Sequence, residues 1–127
     1  MRYLLIIFDD PSELGKMSEA EVAAILPAYR ALTERMVKSG NFRGGDALEP
    51  VTTATTIRLR GDKRLVTDGP FADTREHMVG YYLIEARDLD EAIGIAERVP
   101  AARFGAVEVR PVMRLERVAA LVRQPSS

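Results

Sequence analysis

The sequence predicts one α+β domain with the element order β-α-β-β-α-β of a ferredoxin-like fold. Three observations support this prediction: strand-length apolar patterns near both ends, two helix patterns with capping signals, and a hairpin pattern between them. The chain has 127 residues, of which 46% are hydrophobic and 29% charged, as is typical of a soluble globular domain. We expect the domain to cover residues 1–113 and a C-terminal tail to follow at residues 114–127.

The composition excludes several classes of chemistry. Zero Cys and one His exclude a thiol nucleophile, zinc fingers, iron–sulfur clusters and sites that need several imidazoles, so we expect no metal and no cofactor. Eighteen Lys and Arg against nineteen Asp and Glu give a net charge of −1. Without a global positive field, direct binding to nucleic acid or to an anionic membrane is not expected.

The first strand is predicted at residues 2–8, where six consecutive apolar residues are stopped by Asp9 and Asp10. This run is too short for a membrane span and lacks a cleavage site, so we expect a cytoplasmic protein. Like the first strand, a later strand predicted at residues 77–86 is apolar on both faces. Because both helices of this topology cover the same face, a second copy is expected to cover the other, giving a homodimeric α+β barrel.

The first helix is predicted to begin at about Glu19, because Ser18 and Glu21 have the spacing of a capping box. A buried stripe that includes Tyr29 then continues to Met36, and Gly40 ends the helix. Pro27 lies inside this pattern and removes one helical hydrogen bond, so a kink or a break in the first turns is expected.

The middle of the chain predicts a bulged strand and then a hairpin. Gly44 and Gly45 indicate a bulge or a close backbone approach in a strand that Pro50 closes. Residues 52–60 and 64–67 predict a β-hairpin that extends the third strand. The hairpin ends at the turn formed by residues 68–71.

The last elements are a helix at residues 88–99, a strand at residues 106–113 and a short helix in the tail. Val107 and Val109 lie on one face of the strand, and Glu108 and Arg110 on the other. The tail has apolar residues at helical spacing, which favours a helix docked on its own dimer, with docking on a partner protein as the second interpretation. Residues 124–127 are expected to be frayed.

The turn Asp68-Gly69-Pro70-Phe71 is the sharpest candidate site. The Asp68 carboxylate can bond the turn backbone, or it can act as a catalytic base presented at a strand end that faces a cleft. Both interpretations stay open. Gly69 is expected to have a positive φ or a tight backbone contact, and Phe71 is expected to fill part of the core.

The other candidate site residues are weaker. His77 is the one histidine of the sequence and forms an acid/base pair with Asp68 if the two lie close together; a solvated loop is the leading alternative. Glu108 and Arg110 are candidate ligand-binding residues inside the dimer, or an ion pair across its interface. Tyr82 is a further candidate for this interior, or a core tyrosine.

A family resemblance is carried by residues 65–76, which include this turn, together with residues 2–5, 80–86, 88–92 and 108–112. These segments resemble the DGPF-domain group of the YCII-related proteins. The resemblance implies a dimeric α+β barrel, and it makes Asp68 the family's functional carboxylate. Some YCII-type proteins are thought to use a His-Asp pair with the His on the first helix, but this chain has no His between Ser18 and Gly40.

The resulting functional hypothesis is a protein that binds a small molecule. This hypothesis extends to an enzyme of isomerase or lyase type, in which carboxylates such as Asp68 transfer protons without a cofactor. The alternative is a non-catalytic sensor or accessory module. Because members of the group are often encoded beside, or fused to, extracytoplasmic-function sigma factors, the resemblance links this alternative to sigma-factor regulation.

Overall fold

The computed structural model describes residues 1–123 and shows a mixed α+β fold with antiparallel sheets. The frayed end expected at residues 124–127 lies outside the described residues. The main sheet has four strands in the order β2-β5-β1-β6. The strands are β1 (Arg2–Asp9), β2 (Phe42–Ala47), β5 (His77–Glu85) and β6 (Gly105–Pro111).

Strand β1 lies in the middle of this sheet, and its side chains alternate between the two faces. Tyr3, Leu5 and Ile7 are buried on what we call the helix face, in one core with side chains of the helices α3 (Ile25–Ser39) and α4 (Leu89–Ala96). The side chains of β1 on the second face are only half-buried: Leu4, Ile6 and Phe8. The second face therefore leaves apolar surface accessible to solvent.

The first predicted helix forms as two helices, α2 (Glu19–Ala23) and α3, with Ala24 between them. The capping box is confirmed, because Ser18 accepts from the backbone of Glu21, and the Glu21 side chain accepts from the backbone of Ser18. The break expected near Pro27 is confirmed as well. Pro27 is tolerated there because it lies in the first turn of α3, where few backbone N–H groups have helical partners.

A further helix, α1 (Pro11–Leu14), was not predicted. It begins directly after β1, and the side chain of Asp10 accepts a hydrogen bond of 3.0 Å from the backbone N–H of Ser12. Asp10 is the N-cap of this helix, and Pro11 is its first residue, where a missing N–H costs nothing. The polar residues that end β1 therefore also start α1.

The bulge predicted in β2 is confirmed by a register shift between Phe42 and Gly44 in the ladder with β5. The hairpin consists of β3 (Thr55–Arg60) and β4 (Lys63–Asp68), and it starts later than predicted because Val51–Thr53 form a 3-10 turn. The prediction that the hairpin extends a strand of the main sheet was wrong. β3 and β4 form a separate two-stranded sheet whose apolar side chains are largely exposed.

The C-terminal elements follow the predicted order. Asp88 caps α4, β6 pairs with β1, and the tail forms α5 (Leu115–Val122). Helix α5 buries none of its residues, and Leu115 is 82% exposed. Within residues 1–123 no helix has the length and apolar character needed to cross a membrane.

The turn after β4 depends on Gly69, whose φ of 103° confirms the positive value expected. Its N–H donates to the carbonyl of Ala54 at 2.7 Å, and its carbonyl accepts from the hydroxyl of Thr56 at 2.9 Å. The expectation that Phe71 fills the core was wrong. Phe71 is 73% exposed, because the hairpin stands away from the main core, and its ring contacts the guanidinium of Arg58 at 4.9 Å from the centroid.

Substitution of Gly69 by Ala is expected to destabilise the fold by about 1 kcal/mol or more, because a Cβ strains a backbone with positive φ. Gly44→Ala is the matched control, since a Cβ at Gly44 meets no atom within 4 Å and its φ is not positive. Urea unfolding of both variants measures the difference. Equal midpoints for the two variants would contradict this account of the turn.

Candidate functional site

A cleft lies between the helix face of the sheet and the helices α1 and α3. Its volume is about 790 Å³, within the range that takes a small organic molecule. Most of its lining is apolar and comes from the sheet, both helices and the segment after β2: Ile7, Leu14, Leu26, Phe42, Leu48, Val51 and Val79. The same lining includes a small set of polar side chains, concentrated on β1, β5 and α3.

Asp9 is the carboxylate that the central strand brings to this cleft. It follows Ile7 on the same face of β1, so the alternation that buries the core also places Asp9 where the core ends. Burial raises the pKa of Asp9 above its usual 3.8, and His77 partly offsets this increase by its positive charge. His77 pairs with Asp9 across the ladder between β1 and β5, and it also lines the cleft.

Tyr29 supplies a phenol to the same cleft from α3. Burial raises the pKa of Tyr29 far above its usual 10, and the negative charge of Asp9 and the neighbouring Tyr82 raise it further. The phenol therefore stays neutral at physiological pH and keeps its proton as a hydrogen-bond donor.

Tyr82 and Thr33 join the sheet to α3. Their hydroxyl oxygens lie 3.0 Å apart, and the ring of Phe42 meets the ring of Tyr82 edge-on, with centroids 6.3 Å apart. A Cβ at Gly45 would lie 2.7 Å from the Tyr82 ring, so this position of β2 requires glycine. Of the two interpretations of Tyr82, the core tyrosine is confirmed and the interior of the dimer is not: Tyr82 lies on the helix face, because it pairs with Leu5 of the core.

Two further aspartates near the cleft are already bonded. Asp10 is buried and accepts from Arg75 at 3.1 Å, in addition to capping α1. Asp46 accepts from the hydroxyl of Tyr81 at 2.7 Å, and this bond raises the pKa of Tyr81. Tyr81 pairs with Ile6, so the Asp46 contact lies at the second face, although Asp46 also contributes to the rim of the cleft.

The structure separates the residues that the sequence analysis grouped. His77 and Tyr82 line the cleft, whereas Asp68 is exposed at the end of β4 and does not line it. Glu108 and Arg110 lie on the second face, with their charged groups 3.8 Å apart. Within residues 1–123 no hydrogen bond or ion pair joins Asp68 to His77, and the carboxylate beside His77 is that of Asp9.

Asp9 and Tyr29 were missed as site residues. Asp9 was taken only as the end of a strand, and Tyr29 only as part of a buried helical stripe. A signal for Asp9 was present in the alternation of Tyr3, Leu5 and Ile7, which continues to Asp9 at the next position on the same face.

Comparison with known proteins gives a family match and two similar proteins. The family described as the YCII-related domain matches residues 1–116. A protein of Rhizobium meliloti (strain 1021), described as uncharacterized, is 33% identical over 114 residues, which are 88% of this chain and 92% of that protein. A solved structure of 5-chloro-2-hydroxyhydroquinone dehydrochlorinase from Burkholderia phenoliruptrix AC1100, in complex with 2,5-dihydroxybenzoquinone, is 19% identical. The aligned region covers 92% of this chain and 98% of the dehydrochlorinase chain, with a TM-score of 0.48.

Replacement of Asp9 by Asn is expected to change how stability depends on pH. The raised pKa means that the folded state binds more protons than the unfolded state just above pH 3.8, so stability falls as the pH rises through this window. Asp9→Asn removes that loss, and the variant is expected to gain stability relative to the wild type as the pH increases from 3 to 7.

Urea unfolding across this pH range measures the effect, with Asp62→Asn in the exposed hairpin turn as the control for losing one carboxylate. A wild type that gains stability relative to Asp9→Asn over the same range would contradict the raised pKa.

Proposed function

Since this chain belongs to the family of YCII-related domain proteins, as the sequence resemblance predicted, we propose that its cleft binds a small organic molecule and transfers a proton to or from it. The observation that carries the proposal is the Asp9 carboxylate, which lies in an apolar cleft with its pKa raised by burial. A carboxylate with a raised pKa is a stronger base than an exposed one, and its protonated form also persists to a higher pH.

The groups around Asp9 support an isomerase-like or lyase-like reaction. Asp9 is the proposed general base, which takes a proton from an acidic C–H or O–H group of the bound molecule. The neutral phenol of Tyr29 is the proposed hydrogen-bond donor to the oxygen on which negative charge develops. The positive charge of His77 stabilises the ionised form of Asp9. Tyr82 and Thr33 form one wall of the cleft.

We further propose the homodimer expected from the sequence, in which the second faces of two sheets pack together as a ferredoxin-like α+β barrel. The strand order β2-β5-β1-β6 with antiparallel neighbours supports this arrangement. So do the half-buried Leu4, Ile6 and Phe8, which a second copy would cover. In such a dimer Glu108 and Arg110 lie between the sheets, where they pair or bind a polar ligand.

The second candidate function is a non-catalytic accessory module linked to an extracytoplasmic-function sigma factor. The observation that favours it is the exposed apolar surface of α5, where Leu115 and Val122 are 82% and 79% exposed. An unpacked amphipathic helix is a common element of protein docking surfaces. In this alternative the cleft binds a metabolite as a signal, and Asp68 is only a turn residue.

Proton transfer is tested by deuterium exchange. A thermal-shift screen of small metabolites first identifies compounds that raise the melting temperature of the wild type. NMR in D₂O then follows deuterium incorporation into each compound. We expect Asp9→Asn to slow the exchange by roughly a hundredfold while binding survives, because Asn keeps the size but loses the basic oxygen.

Two controls separate the carboxylates in this test. Asp62→Asn, in the exposed hairpin turn, is expected to exchange at the wild-type rate. Asp68→Asn tests the role that the resemblance implied. If Asp68→Asn loses exchange and Asp9→Asn keeps it, the proposed chemistry at Asp9 is wrong. If the wild type binds compounds but never exchanges them, the accessory module is favoured.

The dimer is tested by sedimentation at micromolar concentration, where about twice the monomer mass is expected. Ile6→Glu places a charge in the second face and is expected to yield monomers, because an unpaired buried charge is costly. Val37→Glu is the control, since Val37 is 59% exposed on α3. A monomeric wild type would contradict the dimer and leave the cleft unaffected.

A further inference from the structure

The cleft contains one carboxylate side chain, that of Asp9, beside the imidazole of His77. Asp46 contributes to the rim, but its carboxylate is bonded to Tyr81 at the second face. No Lys or Arg of the described chain is among the lining residues. This is unexpected from the composition, because the whole sequence has nearly equal numbers of basic and acidic residues. The cleft therefore holds a carboxylate without the Lys and Arg residues that balance acidic groups in the protein as a whole.

The two adjacent aspartates at the end of β1 show how this imbalance arises. Arg75 neutralises Asp10 at 3.1 Å, and the backbone of Ser12 occupies the other oxygen of that carboxylate. Among residues 1–123 no Lys or Arg forms an ion pair with Asp9, and the charge that acts on it is that of His77. The acceptor oxygens of Asp9 therefore remain available to a bound molecule.

An apolar lining strengthens the effect of this charge on a ligand. Electrostatic interactions grow as the local dielectric constant falls, so an anion placed beside Asp9 is repelled more than in water. An anion would also lack a strong cationic partner inside the cleft, because carboxylates and phosphates are usually bound by Arg or Lys. A hydroxyl or ammonium group instead donates a hydrogen bond to Asp9.

From this arrangement we infer that the cleft selects neutral or cationic organic molecules that combine an apolar body with a hydrogen-bond-donating head, and that it rejects carboxylates and phosphates. The inference rests on the proposed function, because it specifies what the same cleft binds. The head lies at Asp9 and the body contacts the apolar side chains Leu14, Leu26 and Val79.

Three probes with the same apolar body test the inference: 2-phenylethylamine, 2-phenylethanol and phenylacetate. Titration into the ¹⁵N-labelled protein, followed by NMR, reports binding through the backbone amides of Gly45, Val79 and Gly80, which line the cleft. We expect the amine and the alcohol to bind at least about tenfold more tightly than the carboxylate, a difference of about 1.4 kcal/mol.

Variants connect this preference to Asp9. Asp9→Asn is expected to weaken binding of the amine and to strengthen binding of phenylacetate, so that the difference between them narrows. Asp9→Ser also removes the charge and is expected to shift both affinities in the same directions, and it replaces Asp9→Asn if that variant does not fold. Asp62→Asn, on the hairpin outside the cleft, is expected to leave all three affinities unchanged.

The outcomes separate this inference from the proposal on which it rests. Binding of phenylacetate at the cleft as tightly as the amine would overturn the charge selection and leave the cleft as a binding site. A preference that survives both Asp9 variants unchanged would also overturn it. If none of the three probes shifts the cleft amides up to its solubility limit, the binding site itself is wrong, and the selection with it.

Discussion

The two-residue alternation of β1 is the constraint on which the rest of the structure depends. This strand lies in the middle of the sheet, so every second side chain must enter the core that α3 and α4 cover. The same rule makes the position two residues after Ile7 face inward, and that position holds Asp9. A polar group thus enters the interior as a direct consequence of the strand geometry, and the cleft is the place where its acceptor oxygens remain accessible.

The cleft itself exists because neighbouring elements stop short of filling the space beyond the core. The bulge in β2 disturbs the ladder with β5, and Gly45 leaves room for the Tyr82 ring, which reaches Thr33 on α3. This contact joins the sheet and the helix at one side. Beyond it the lining side chains, such as Leu26 at 57% exposure, border an open space. Packing therefore fixes the walls of the cleft while leaving its centre empty.

The sequence predicted the elements better than it predicted the site. The capping box at Ser18, the break near Pro27 and the bulge in β2 all depend on local backbone chemistry, which neighbouring residues determine. The cleft depends on the register between β1 and β5, which shifts between Ile7 and Phe8 and brings Asp9 opposite His77. Such pairing links residues about seventy positions apart, so local patterns do not contain it. The prediction that Phe71 fills part of the core was wrong for the same reason, since its exposure depends on where the whole hairpin lies.

The burial of Asp9 has a cost that the fold alone does not explain. A desolvated carboxylate without a strong cationic partner destabilises the folded state, whereas Asp10 beside it is held by Arg75 and caps a helix. An Asn or Ser at position 9 would fit the same strand end without a charge. Unfavourable charges concentrate at functional sites, where the interaction with a ligand offsets the cost. The contrast between two adjacent aspartates, one fully bonded and one left open to an apolar cleft, is therefore the strongest physical argument that this cleft binds and acts on a ligand.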